Sequence, residues 1–383
     1  MTPLKRVSHL SSITILLVFV LGCPASRKLN AGRAGSAFSF KNGVSLNHWT
    51  GYPIDSFAYA DPRWFSKKDV EWIATTGMDH IQLYITGTEI LTADEQIIAD
   101  KVVAVDSLIS WSKAVGLGVI LSPARMPIAV TDSTLPRAER VEQNLRKQAA
   151  NFAVFANHFR NHGPNVRFLL STGTEEKALR NRYYQMVLPA IRRTNPDRQL
   201  YITAFSLDRI PDLEIQSADP NIIIAAEISQ STERKAEAID VFAWQHQDYF
   251  FTETMPVVTF PGTVPGIDTS MITDLGRWAI PFSNARLEQD YFDKKFELAS
   301  QQMEQYHPGR ELYISHFRYW TGYPFDPRTV KDARSVNNFV SSFASAARRN
   351  NIGWCYYDYN SGSGIRTPDG ERALVLDALD LGE

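Results

Sequence analysis

Residues 166–176, VRFLLSTGTEE, decide how the chain folds. A short, mostly apolar run from Val166 breaks at Ser171, Thr172, Gly173 and Thr174 and ends in two acids, Glu175 and Glu176. Such a run is too short for a core helix and suits a buried strand whose C-terminal end opens into a polar loop. Upstream, Ala138 to Asn161 carries a helical pattern closed by Gly163-Pro164. Downstream, Tyr183 to Thr194 carries another, which Pro189 should kink and Asn195-Pro196 should stop. Helix, strand and helix around one apolar run form the repeating unit of a parallel sheet.

The same alternation extends in both directions. Strands are expected at Gly43–Leu46, His80–Ile85, Gly118–Ser122, Gln199–Phe205, Asn221–Ile228, Glu311–Phe317 and Gly353–Tyr359. A helix should start after Ser66, with Asp69 completing a capping box, and end at Gly77. Others are expected over Asp94–Val115, Leu287–Tyr306 and Val330–Arg349. Between residues 229 and 309 the alternation loosens, and connections this long are usually functional. The chain therefore reads as one α/β domain, a (β/α)8 TIM barrel over residues 38–383, with working groups on the loops after its strands. An open doubly wound sheet is the competing layout. No Gly-rich phosphate loop follows the first strand, which counts against nucleotide binding.

Residues 1–23 read as a targeting segment. Lys5 and Arg6 precede an apolar stretch, Ile13–Leu21, that is too short to span a bilayer. Val20-Leu21-Gly22-Cys23 resembles a bacterial lipobox, so export and lipidation at Cys23 are expected; Pro24 resembles the signal for release to an outer membrane. Residues 24–37, rich in Gly, Ala and Ser toward their end, read as a flexible tether. The chain has 2 cysteines, so acylation of Cys23 leaves Cys355 without an intramolecular partner, in an apolar run that predicts a buried, inert thiol. A net charge of −2, with Lys and Arg scattered, gives no reason to expect a nucleic-acid partner.

Several segments carry a resemblance when taken in order: NGVSLNHW, KKDVEWIATTGMDHIQLYI, VDSLISWSKAVGLGVILS, LPAIRRTNPDRQLYIT, DYFFTE and NNIGWCYYDYNSGSGI. Together they resemble glycoside hydrolase family 5, the cellulase and endoglucanase type of barrel. That resemblance implies two catalytic glutamates, an acid ending the fourth strand and a nucleophile ending the seventh, about 5 to 5.5 Å apart for retaining chemistry. In this sequence Thr172 and Gly173 stand in the Asn-Glu positions, and Ser315-His316-Phe317-Arg318 stands where Gly-Glu-Phe-Gly is expected. Other departures are Gln82 for the second-strand arginine, Glu227 near the sixth-strand histidine and Tyr357 for the eighth-strand tryptophan; LSPARMP offers no third-strand histidine.

The sequence thus points to a glycosidase-like barrel that has lost its standard chemistry and binds a polysaccharide, an oligosaccharide or an envelope protein. The alternative is an active carbohydrate enzyme rebuilt from Glu227, Glu175, Glu176, His316 and Asp358. Glu175 and Glu176 equally suit the start of a helix near Lys177. Glu227 equally suits a structural ion pair, and His316 a hydrogen-bonded structural role. Trp49, Gln82, Tyr84, Trp244, His246, Trp320 and Tyr357 are candidate sugar contacts, the aromatics as stacking faces. A metal shared by His316 with Glu227 or His246 lacks any HxH or HExxH spacing, so no metal or cofactor is expected.

Overall fold

Eight parallel strands close on themselves in the computed structural model. It describes residues 39–46, 65–92, 96–124, 134–172, 176–216, 218–228, 236–245, 249–319, 332–359, 364–367 and 370–381. The strands are β1 (Asn42–Leu46), β2 (His80–Thr86), β3 (Gly118–Ala124), β4 (Val166–Leu170), β5 (Leu200–Ser206) and β6 (Ile222–Glu227). After a two-stranded hairpin of β7 (Gly262–Thr263) and β8 (Arg286–Leu287) come β9 (Leu312–Phe317) and β10 (Gly353–Tyr356). β1 pairs with both β2 and β10, which closes the barrel. It lies within one compact unit, Ser39–Glu383. The (β/α)8 expectation holds.

The helices are α1 (Lys67–Ala74), α2 (Gly87–Ile90), α3 (Ala99–Ala114), α4 (Arg137–His158), α5 (Lys177–Arg192), α6 (Ala238–Trp244), α7 (Tyr291–Tyr306), α8 (Ala333–Arg349) and α9 (Leu374–Ala378). Each long helix turns an apolar stripe to the sheet. Phe152 and Phe155 of α4 meet Phe168 of β4 edge-on, and Phe343 of α8 stacks on Phe317 of β9. At α1 the Ser66 amide and hydroxyl both donate to the Asp69 carboxylate, as the capping pattern predicts. The helix expected from Asp94 starts only at Ala99. Ile97 instead bridges Leu91, the Thr92 amide donates to the Gln96 carbonyl and the Gln96 amide to the Thr92 hydroxyl, so these backbone groups are engaged outside a helix.

Inside the barrel, the N-terminal end is plugged by a stack. The Phe40 ring lies parallel to His80 at 4.7 Å, and the Arg167 guanidinium sits 3.5 Å from its centroid. Phe40 fits because β3 begins with Gly118, where an added Cβ would come within 1.9 Å of the ring. Above it runs a polar chain. His80 bonds Asp79 at 2.6 Å and the Tyr313 hydroxyl at 2.7 Å; Tyr313 donates to Gln82, and Gln82 donates to the Ser315 carbonyl at 3.0 Å. Cys355 is buried in this interior as a free thiol, and burial pushes its ionisation up.

Candidate functional site at the barrel mouth

Strand alternation sends one residue in two toward the barrel axis. By that parity Tyr84 of β2, Glu227 of β6 and Tyr357 just past β10 face inward at the C-terminal end, each keeping some exposed surface. β9 needs a correction to reach the same level. Its register advances from Ile314 to His316 while β6 advances from Ala226 to Glu227, and from Ile314 to Phe317 while β10 advances from Trp354 to Tyr356. This β-bulge carries one extra residue and re-aims the strand end. His316 consequently turns inward and Phe317 returns to the helix layer, against Phe343.

The bulge brings the predicted residues together. His316 stacks on Tyr357 with ring centroids 4.1 Å apart at 22°. Tyr84 meets Tyr357 edge-on at 6.2 Å. Glu227 is the Cα partner of His316 across the β6–β9 register. Burial, with the adjacent Arg318 charge, holds His316 well below the usual histidine range, so the imidazole is neutral at pH 7. Burial and then the Glu227 charge push the Tyr84 phenol well above its usual range, leaving it a hydrogen-bond donor.

Other candidates lie elsewhere. Gln82 is fully buried one layer below, with its amide engaged by Ser315 and Tyr313, so it supports the mouth from beneath. Trp244 closes α6 and meets Phe250 edge-on at 5.1 Å. Glu176 is the exposed N-cap residue of α5. Asp358 is 6% exposed and joined to Tyr357 by a cis peptide. Thr172 is buried. Cys23, Trp49, Gly173, Glu175, His246 and Trp320 lie outside the described residues. No group of metal-ligating side chains forms among the described residues.

Two residues join the mouth that the sequence reading did not select. Arg318, one alternation beyond His316, places its guanidinium 4.6 Å from the Tyr357 ring centroid. Tyr249, 53% exposed on the long excursion after β6, is close enough for the Arg318 charge to act on its phenol. Arg318 was visible only as a departure from a motif, and Tyr249 had no local signal because its neighbour is distant in sequence. Tyr184 of α5 braces the adjoining rim: its hydroxyl lies 2.9 Å from the Thr203 carbonyl and 3.2 Å from that of Leu170, and accepts the Thr203 amide at 3.0 Å. A separate polar cleft of about 880 Å³ lies on the flank, between the β7–β8 hairpin, the start of α7 and α8.

No protein-family model matches the sequence, and no curated protein matches it. Solved structures do. The cellulose synthase subunit Z of Clostridioides difficile superposes with a TM-score of 0.63 at 17% identity, covering 89% of this chain and 99% of that one. The fold is shared with the endoglucanases. The Thermotoga maritima Cel5A structure in complex with cellobiose gives a TM-score of 0.62 at 14% identity over 89% of this chain and 97% of that one. The GH5-4 broad-specificity endoglucanase from Clostridium longisporum gives 0.61 at 14% over 89% and 95%. At these identities the likeness concerns the barrel itself and leaves the chemistry to the residues at its mouth.

Proposed function

We propose that this chain is an exported, lipid-anchored barrel that binds a polysaccharide or oligosaccharide at its mouth and does not hydrolyse it by the paired-carboxylate route. The observation that carries the reading is His316. It lies at the C-terminal end of β9, next to its last residue, where retaining chemistry calls for a nucleophilic carboxylate, and it is a neutral imidazole packed flat on Tyr357. A group held this way presents an aromatic face and a hydrogen-bonding edge to a sugar. Tyr84, Tyr357 and Tyr249 supply further ring surface around it. The solved cellulase-type structures with this fold include one holding cellobiose, which supports a glycan as the occupant.

Glu227 favours a second reading. It pairs with His316 in register and faces the mouth, so it is the acid best placed for a rebuilt hydrolase. Binding separates occupancy from vacancy directly. Calorimetric titration with cello- and manno-oligosaccharides should show binding that Tyr357→Ala weakens by about tenfold or more, because His316 loses the ring it packs on. Absence of binding to any glycan sinks the proposal and favours a protein of the cell envelope as partner. For the anchor, mass spectrometry of the protein from a bacterial host should find an acylated Cys23 as the first residue; an unmodified Cys23 refutes it.

A further inference from the structure

We infer that the polar cleft on the flank of the barrel is a second carbohydrate-binding site, which takes a neutral stretch of polysaccharide independently of the mouth. Its floor is α8, where Ser341 and Ser345 lie one turn apart on the same face. One wall is the segment leading into α7, and the other is the β7–β8 hairpin with Thr263. Ser342 ties wall to floor, its hydroxyl donating to the Gln289 carbonyl at 2.8 Å. Two turns beyond Ser341, the Arg349 guanidinium donates to the Asp293 carboxylate of α7 at 2.6–3.0 Å. On their core side the same two helices meet through Phe292 and Phe343, edge-on at 5.5 Å. The space is thus framed by packed elements, and its volume of about 880 Å³ falls within the range of about 300–1,000 Å³ usual for ligand sites.

The lining selects the ligand. Pro261 and Leu287 supply its apolar side chains and the rest is polar, so an apolar ligand gains little here. Neither charge prevails. Asp293 is paired with Arg349, Lys294 donates to Glu288 and Asp290 at 2.5 and 3.0 Å, and Arg286 stands 3.9 Å from Glu288. A charged ligand would have to break one of these pairs to form its own. What the cleft offers instead is donors and acceptors side by side: guanidinium N–H groups, carboxylate lone pairs, and serine and threonine hydroxyls that serve as both. Neighbouring hydroxyls of a pyranose match that arrangement. One can donate to Asp293 while the next accepts from Arg349, and both bonds are charge-assisted. The rim is open, with the Arg286 and Arg349 side chains 80% and 57% exposed, so a sugar unit fits while its chain continues into solvent. A chain held at both mouth and cleft is retained more tightly than by either site alone.

Calorimetric titration of the purified protein with cellohexaose and mannohexaose tests this, because the two sites answer to different substitutions. Ser345→Trp fills the cleft from its floor and should abolish binding there while leaving the affinity of the mouth unchanged. Asp293→Asn, a change of nearly the same shape, should weaken the cleft by about tenfold, since a charge-assisted bond is lost. Melting curves establish that both variants fold. Tyr357→Ala should leave the cleft untouched, and in that protein a charged hexamer, of glucosamine or of galacturonate, should bind no more tightly than the neutral chains. Glycan binding that neither Ser345→Trp nor Asp293→Asn alters overturns the inference and leaves the mouth standing. A tenfold advantage for a charged hexamer overturns the neutral ligand. Binding that Tyr357→Ala spares and Ser345→Trp removes supports the cleft even where the mouth proves empty. If neither hexaose binds at all, cleft and mouth both fail as carbohydrate sites.

Discussion

His80 and His316 are imidazoles at opposite ends of one barrel, and both are held neutral. His80 is fully buried; burial is the dominant cause, the Arg167 charge adds to it, and the Asp79 carboxylate only partly offsets it. A histidine whose folded pKa lies below its unfolded value of about 6.5 binds its proton preferentially when unfolded. Its stabilising contribution is complete above about pH 6.5 and is lost as pH falls below that value, by up to about 1.4 kcal/mol per pH unit until the folded pKa is reached. Urea midpoints should therefore fall between pH 7 and pH 5, and His80→Asn should flatten that slope. An equal slope in the variant contradicts the assignment. His316 has the same sign, so acidification also strains the mouth.

Among the elements, β4 and β9 show how local chemistry sets the site. The start of β4 depends on Arg198, whose guanidinium donates to the carbonyls of Phe159, Arg160, His162, Gly163 and Val166 at 2.7–3.2 Å. One side chain thus satisfies the turn between α4 and β4, where backbone acceptors would otherwise be buried without partners. Arg198→Met keeps most of the aliphatic packing and removes all five donations. It should cost about 2–4 kcal/mol, seen as a lowered urea midpoint, since several buried carbonyls lose their donors together. A change below about 0.5 kcal/mol would show that water replaces the clamp. At β9 the bulge does the corresponding work for function, because without the extra residue His316 and Phe317 would exchange sides.

For the whole molecule, the barrel was legible because its strands are short apolar runs and its helices carry apolar stripes, both local properties. Glu311–Phe317 was expected and Leu312–Phe317 is found; Gln199–Phe205 was expected and Leu200–Ser206 is found. The early start predicted for α3 failed because Thr92 and Gln96 pair through specific hydrogen bonds that periodicity does not encode. The site was legible in part. Tyr84, Glu227 and Tyr357 could be placed by counting along strands, since parity alone decides which way they face; His316 could not, because only the β9 bulge turns it inward. Arg318 and Tyr249 could not, because one depends on a bulge and the other on an excursion returning to the rim.

We propose that this mouth holds a glycan without cleaving it by paired carboxylates. The direct measurement is release of reducing ends from β-glucan, mannan and their oligosaccharides, followed over hours at pH 5 to 8 for the wild type and Glu227→Gln. Neither protein should release reducing ends above the protein-free control at glycan concentrations where titration shows the site occupied. Sustained release by the wild type that Glu227→Gln abolishes would contradict it and establish a hydrolase rebuilt around Glu227.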